Sequence, residues 1–143
     1  MTNHTQHYDC PTEAFACDFA AQGLGAGDPV WTMERQSEAA AQTVLQEFSV
    51  EDCDDAPYFT RYPIKIEIYH PNRHEARRRA MAAYGYYRQF RGSYSGVPGY
   101  TFFNWHAGQV RCQFVGVDDA IEITGTLLYK ALVNIVLVVV SQL

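Results

Sequence analysis

Arg73, Arg77, Arg78, Arg79 and Arg88 stand within one short stretch of this 143-residue chain, with His74 among them. A guanidinium is permanently charged and planar, so it grips carboxylate or phosphate through paired N–H donors and also stacks on aromatic rings. Arg73, Arg77, Arg78 and Arg88 are therefore candidate binding residues for an anionic partner. Tyr69, Tyr100 and Phe102, together with Arg111, form a second candidate set. Aromatics beside arginine on a sheet face are the means by which RNA-recognition folds stack bases, although the aromatic–glycine signatures of those folds are absent here.

Three histidines, His70, His74 and His106, are weaker candidates. Imidazoles gathered at one sheet edge can hold zinc or exchange protons. The strands carrying His70 and His106 are expected to lie two positions apart, roughly 10 Å, so no metal and no cofactor is expected. His4, His7, Cys10 and Cys17 lack the two-residue gap of a structural zinc site. Gly23-Leu24-Gly25-Ala26-Gly27 lacks the lysine of a phosphate loop, and no serine stands in a nucleophile elbow. Asp52, Asp54 and Asp55 read as a solvated acidic loop rather than a cation site.

The arginines need a helix to align them, and the spacing predicts one over Arg73 to Arg91. Asn72 is placed as its N-cap, with Glu75 three residues on as a capping-box partner. Ala76, Ala80, Ala83, Tyr84, Tyr87 and Phe90 recur at spacings of three and four and form its apolar stripe. Ahead of it, Ile64, Ile66 and Ile68 alternate with Lys65, Glu67 and Tyr69, which predicts a strand. Behind it, Tyr100 to His106 and Gln109 to Val117 read as a hairpin, with Phe103 opposite Cys112. Asp118 is read as the cap of a helix to about Leu132, and Val133 to Val140 as a last strand. A competing reading makes Ala120 to Thr124 a strand and everything from Thr126 a helix.

The order from Tyr58 onward is then strand, helix, strand, strand, helix, strand, the ferredoxin-like α+β arrangement. Residues 58–143 would form this core. Residues 1–57 would be a helical extension packed on it within one domain, carrying a short helix near Thr12 to Ala21 and an amphipathic helix from Met33 to Phe48.

Charge divides along the same line. Residues 1–57 hold eleven acids and one base, residues 58–143 ten bases and five acids, which gives −10 and +5 and sums to the −5 of the whole. Either the halves attract each other or the basic half meets an anionic partner. The apolar C-terminal stretch Ala131 to Leu143 is thirteen residues long, too short for a membrane span. The four cysteines follow no disulfide spacing, and no apolar leader opens the chain, so a reducing, cytoplasmic setting is expected.

The sequence thus points to a small non-enzymatic binding protein whose partner is a nucleic acid or an acidic protein surface. An alternative is an inhibitor or regulator that works through the acidic first half and mimics nucleic-acid charge. A third reading is a small enzyme using the histidines. Two copies pairing as a homodimer through an exposed sheet face is a further possibility.

Overall fold

Ile64, Ile66 and Ile68 are fully buried while Lys65 and Glu67 between them are only half-buried, as strand alternation requires. The computed structural model describes residues 11–32, 40–47, 51–53, 56–89, 93–94, 102–103, 111–123 and 125–140. These isoleucines belong to a strand of fifteen residues, Ala56–His70. In chain order the elements are α1 (Pro11–Ala21), β1 (Val30–Thr32), β2 (Gln42–Glu47), β3 (Glu51–Cys53), β4 (Ala56–His70), α2 (Arg73–Arg88), β5 (Ser93–Tyr94), β6 (Phe102–Phe103), β7 (Arg111–Ile123) and β8 (Thr126–Val140). The class is α+β.

β4 and β8 form the spine of the sheet, antiparallel and in continuous register from Phe59↔Val140 to His70↔Tyr129. The path across the sheet is β1-β2-β4-β8-β6-β5, with β3 on β4 and β7 on β8. β1 joins β2 in parallel, and the other pairings are antiparallel. Strands from both halves of the chain therefore share one sheet.

This strand order differs from the ferredoxin-like expectation, and the reasons are local. Residues 118–123 and 126–132, expected to be helical, instead lie in the paired strands β7 and β8. Ile123 pairs with Thr126, and Gly125 sits at φ 75°, which only glycine adopts at little cost. Asp118 lies in the ladder opposite Lys130 rather than capping a helix. The competing reading is corrected too, because the chain after Thr126 is strand β8. β7 does not pair with β6: Cys112 lies opposite Ile135 and Phe103 opposite Val138, so both strands follow one edge of β8 end to end.

The expected helix from Met33 to Phe48 is likewise replaced, over 42–47, by strand β2 paired to β4. Val44 and Leu45 are adjacent and both buried, one on each face of the sheet. Burial on both faces hides the alternation that would have marked a strand. The short N-terminal helix and the helix over 73–88 stand where expected.

Both helices cover the face that carries the isoleucines. The core there joins Ala14, Phe15 and Phe19 of α1 to Leu45, Ile64, Ile66, Ile68, Ala131, Val133 and Ile135 of the sheet. From α2 come Ala76, Ala80, Ala83 and Tyr87, whose three small side chains let the helix lie close on the strands. Tyr87 fills the space between helices, its ring 4.7 Å from that of Phe15, and its hydroxyl donates to the buried Asp18 carboxylate at 3.2 Å. The opposite face carries Glu67 paired to Lys130 at 3.4 Å, with Val44, Tyr69 and Leu128 buried. Among the described residues, Trp31 Nε1 and Asn134 Oδ1 are buried and find no hydrogen-bond partner. They belong to β1 and β8, three strand steps or about 14 Å apart, and so form no common polar site.

Candidate functional site

Helix α2 begins where the sequence places it because Asn72 caps its first turn, although the expected capping box does not close: the Asn72 N–H donates to His70 Nδ1 and the Glu75 carboxylate is taken by Arg78 and Arg79. Asn72 is extended (φ −106°, ψ 120°) and its side chain accepts from the Glu75 N–H at 3.1 Å. Glu75 adds negative charge at the positive end of the helix dipole. The alanine and Tyr87 stripe then turns inward, which leaves Arg73, His74, Arg77, Arg78 and Arg88 exposed. Arg79 falls on the inner shoulder, with 13% of its side chain exposed.

The arginines divide into two groups. Arg78 and Arg79 are neutralised by the chain itself. Arg78 donates through Nε to Glu75 at 2.9 Å and makes a second bond through Nη2. Arg79 donates through Nε to Glu75 at 3.1 Å and through Nη1 to Asp28, in the turn before β1. This ion pair, with the Tyr87–Asp18 hydrogen bond, ties the acidic first half to the basic second half.

The second group is seated on rings. The Arg77 guanidinium lies 5.2 Å from the centroid of Phe114 on β7. Arg88 lies 5.1 Å from the centroid of Tyr84 and donates to its hydroxyl at 3.3 Å. Such contacts contribute about 0.5–1 kcal/mol at exposed sites and leave the cation un-neutralised. Among the described residues, neither Arg77 nor Arg88 pairs with a carboxylate. Eleven residues of helix separate them, about 16 Å, and Arg73 extends the same flank by one turn.

Glu75 also sets a pH response. Its hydrogen bonds from Arg78 and Arg79 hold its carboxyl well below the ordinary 4.5, at about 2. A carboxyl depressed in the fold stabilises the protein above its unfolded value and loses that contribution as pH falls through the folded one. Melting temperature should therefore drop more steeply in the wild type than in Glu75→Gln between pH 4.5 and about 2. Equal slopes in thermal melts across that range would show that the carboxylate is not held by these arginines.

The aromatic set does not assemble. Tyr69 is 9% exposed, on the face opposite α2, and offers no open ring. Its register partner is Lys130, whereas Phe102 pairs with Val139, nine residues or about 30 Å further along β8. Arg111 lies between them, opposite Val136. Tyr100 and His106 lie outside the described residues. His70 ends β4 and its Nδ1 accepts from the Asn72 N–H at 2.9 Å. Burial, followed by the Arg79 charge, lowers its pKa below 6.5. His74 is exposed on the first turn of α2. Among the described residues no three His, Cys, Asp or Glu side chains gather as a metal site.

Two working residues escaped the sequence reading. Glu75-to-Arg79 spacing was visible as an i,i+4 pair, but Asp28 lies 51 residues away from Arg79, and nothing local links them. Phe114 as the seat of Arg77 depends on β7 running under α2. None of the helices among the described residues is long and apolar enough to cross a membrane. Comparison with known protein families and with curated proteins finds no match for this chain.

Proposed function

We propose that this chain is a small, cytoplasmic, non-enzymatic binding protein that engages a nucleic acid through the flank of α2 carrying Arg77 and Arg88. The observation that carries the reading is the seating of both guanidiniums on aromatic rings with no carboxylate partner among the described residues. Seated in this way, they keep most of their N–H donors for a ligand and lose little side-chain freedom on binding it. Their separation of about 16 Å spans roughly five phosphates along one strand of a B-form duplex.

Three acids of the first half among the described residues are already engaged within the chain. Asp18 is buried against Tyr87, Asp28 is held by Arg79, and Glu47 accepts from Thr12. Cys17 is exposed and unbridged, in keeping with a reducing compartment.

The test is a titration of short DNA and RNA duplexes and single strands across a salt series. Binding should be detectable at low salt and weaken with added salt, with a log–log slope of about −2 or steeper. No retardation of any of these ligands at low ionic strength would remove the reading.

A further inference from the structure

We propose that the nucleic acid bound by this flank of α2 is single-stranded, which rests on the reading above, and that its bases stack on the outward sides of Arg77 and Arg88. Arg77 lies over the ring of Phe114 and Arg88 over the ring of Tyr84, so each guanidinium turns one side to an aromatic face. Both residues are exposed, and the other side meets solvent. A guanidinium backed by a ring is a platform of the kind on which unpaired bases stack. The N–H donors around its rim stay available for phosphate, so stacking and phosphate contact do not compete.

The surface between the two platforms favours a single strand over a duplex. Met81 follows Arg77 by four residues and precedes Arg88 by seven, so the three fall within about 40° of one line along the helix. Its side chain is 39% exposed, and Ala82 and Gly85 are exposed beside it. None of these three has a side-chain donor, whereas a helix that reads a duplex sets polar side chains against base edges in the groove. A thioether instead packs well on an aromatic ring, and a base face is such a surface. A Cβ at Gly85 would meet nothing within 4 Å among the described residues, which leaves room beside Met81 for a base to lie against the helix. Only in a single strand are base faces free to do so.

Charge by itself would give the opposite preference. A duplex releases more counterions per phosphate contact than a single strand, so two arginines acting as point charges would bind it more tightly. A preference for the single strand therefore reports the ring-backed guanidiniums and Met81 rather than the positive charge.

Fluorescence anisotropy of the full chain at low salt separates the two, using three labelled ligands of about twelve nucleotides. These are an oligothymidylate, the same strand with every base removed, and a blunt duplex. The oligothymidylate should bind at least about tenfold tighter than either of the others. Its salt slope should match that of the abasic strand, because the two carry the same phosphates. Arg77→Lys combined with Arg88→Lys should cut the preference to about threefold or less and leave abasic binding unchanged, since lysine keeps the charge but has no plane to stack. Met81→Ala should weaken oligothymidylate binding roughly threefold and abasic binding not at all. Equal affinity for the three ligands, or a tighter duplex, would overturn the proposal while leaving phosphate binding by the flank intact. Failure of all three to bind would remove the nucleic-acid reading itself, and the stacking with it.

Discussion

Tyr87→Ala should destabilise the protein by about 3–5 kcal/mol, a large part of the margin of an ordinary domain. The ring is 1% exposed and sits where α1, α2 and the sheet meet, against Phe15 and edge-on to Tyr86 at 4.9 Å. Removing it leaves a cavity that alanine and aromatic neighbours fixed on separate elements cannot close. Tyr87→Phe isolates the hydroxyl. It keeps the packing but takes a donor from the Asp18 carboxylate, which is 3% exposed and retains the Gln22 amide at 3.2 Å. A buried acceptor deprived of one donor costs about 1–3 kcal/mol, so the phenylalanine variant should lie between wild type and alanine. Urea unfolding of the three proteins measures this order. An alanine variant within about 1 kcal/mol of wild type would mean that α1 is not held to α2 through this ring.

The same junction shows which features the sequence could disclose. α2 was legible because its cap, its stripe and its arginines repeat within sixteen residues, and β4 because isoleucine alternates with polar neighbours. β8 was not legible along its whole length. Leu127, Leu128, Ala131, Leu132, Ile135 and Val136 satisfy spacings of three and four while Ala131, Val133 and Ile135 alternate by two, and only pairing with β4 and β7 decides between them. β2 was missed for a related reason, since Val44 and Leu45 are buried on opposite faces and read as one stripe of a helix. Within the candidate site, Arg77 and Arg88 could be marked by type and spacing only together with Arg73 and Arg78. Which arginines are already consumed depends on Asp28, brought to α2 by a turn remote in sequence, and no periodicity reports that.

This division of the arginines makes the second large effect specific. Arg77→Ala combined with Arg88→Ala should lower the salt slope of nucleic-acid binding by about two and weaken low-salt affinity roughly 10–100-fold, since each removes one phosphate contact. Arg79→Ala removes as much formal charge as either single substitution but should leave the slope nearly unchanged, because its guanidinium is spent on Asp28 and Glu75. Its cost should appear instead as stability, about 1–3 kcal/mol, through the loss of the link between the β1 turn and the helix. Lysine at both 77 and 88 keeps the charge count and should return most of the slope, while any affinity still missing would measure the seating on Phe114 and Tyr84. A fall in slope for Arg79→Ala with none for Arg77→Ala would mean that the anion is bound on the other shoulder of the helix. The ring-seated pair would then be structural, and Arg79 would have to leave Asp28 on binding, because a cation closed into an internal ion pair has no counterions to exchange with phosphate.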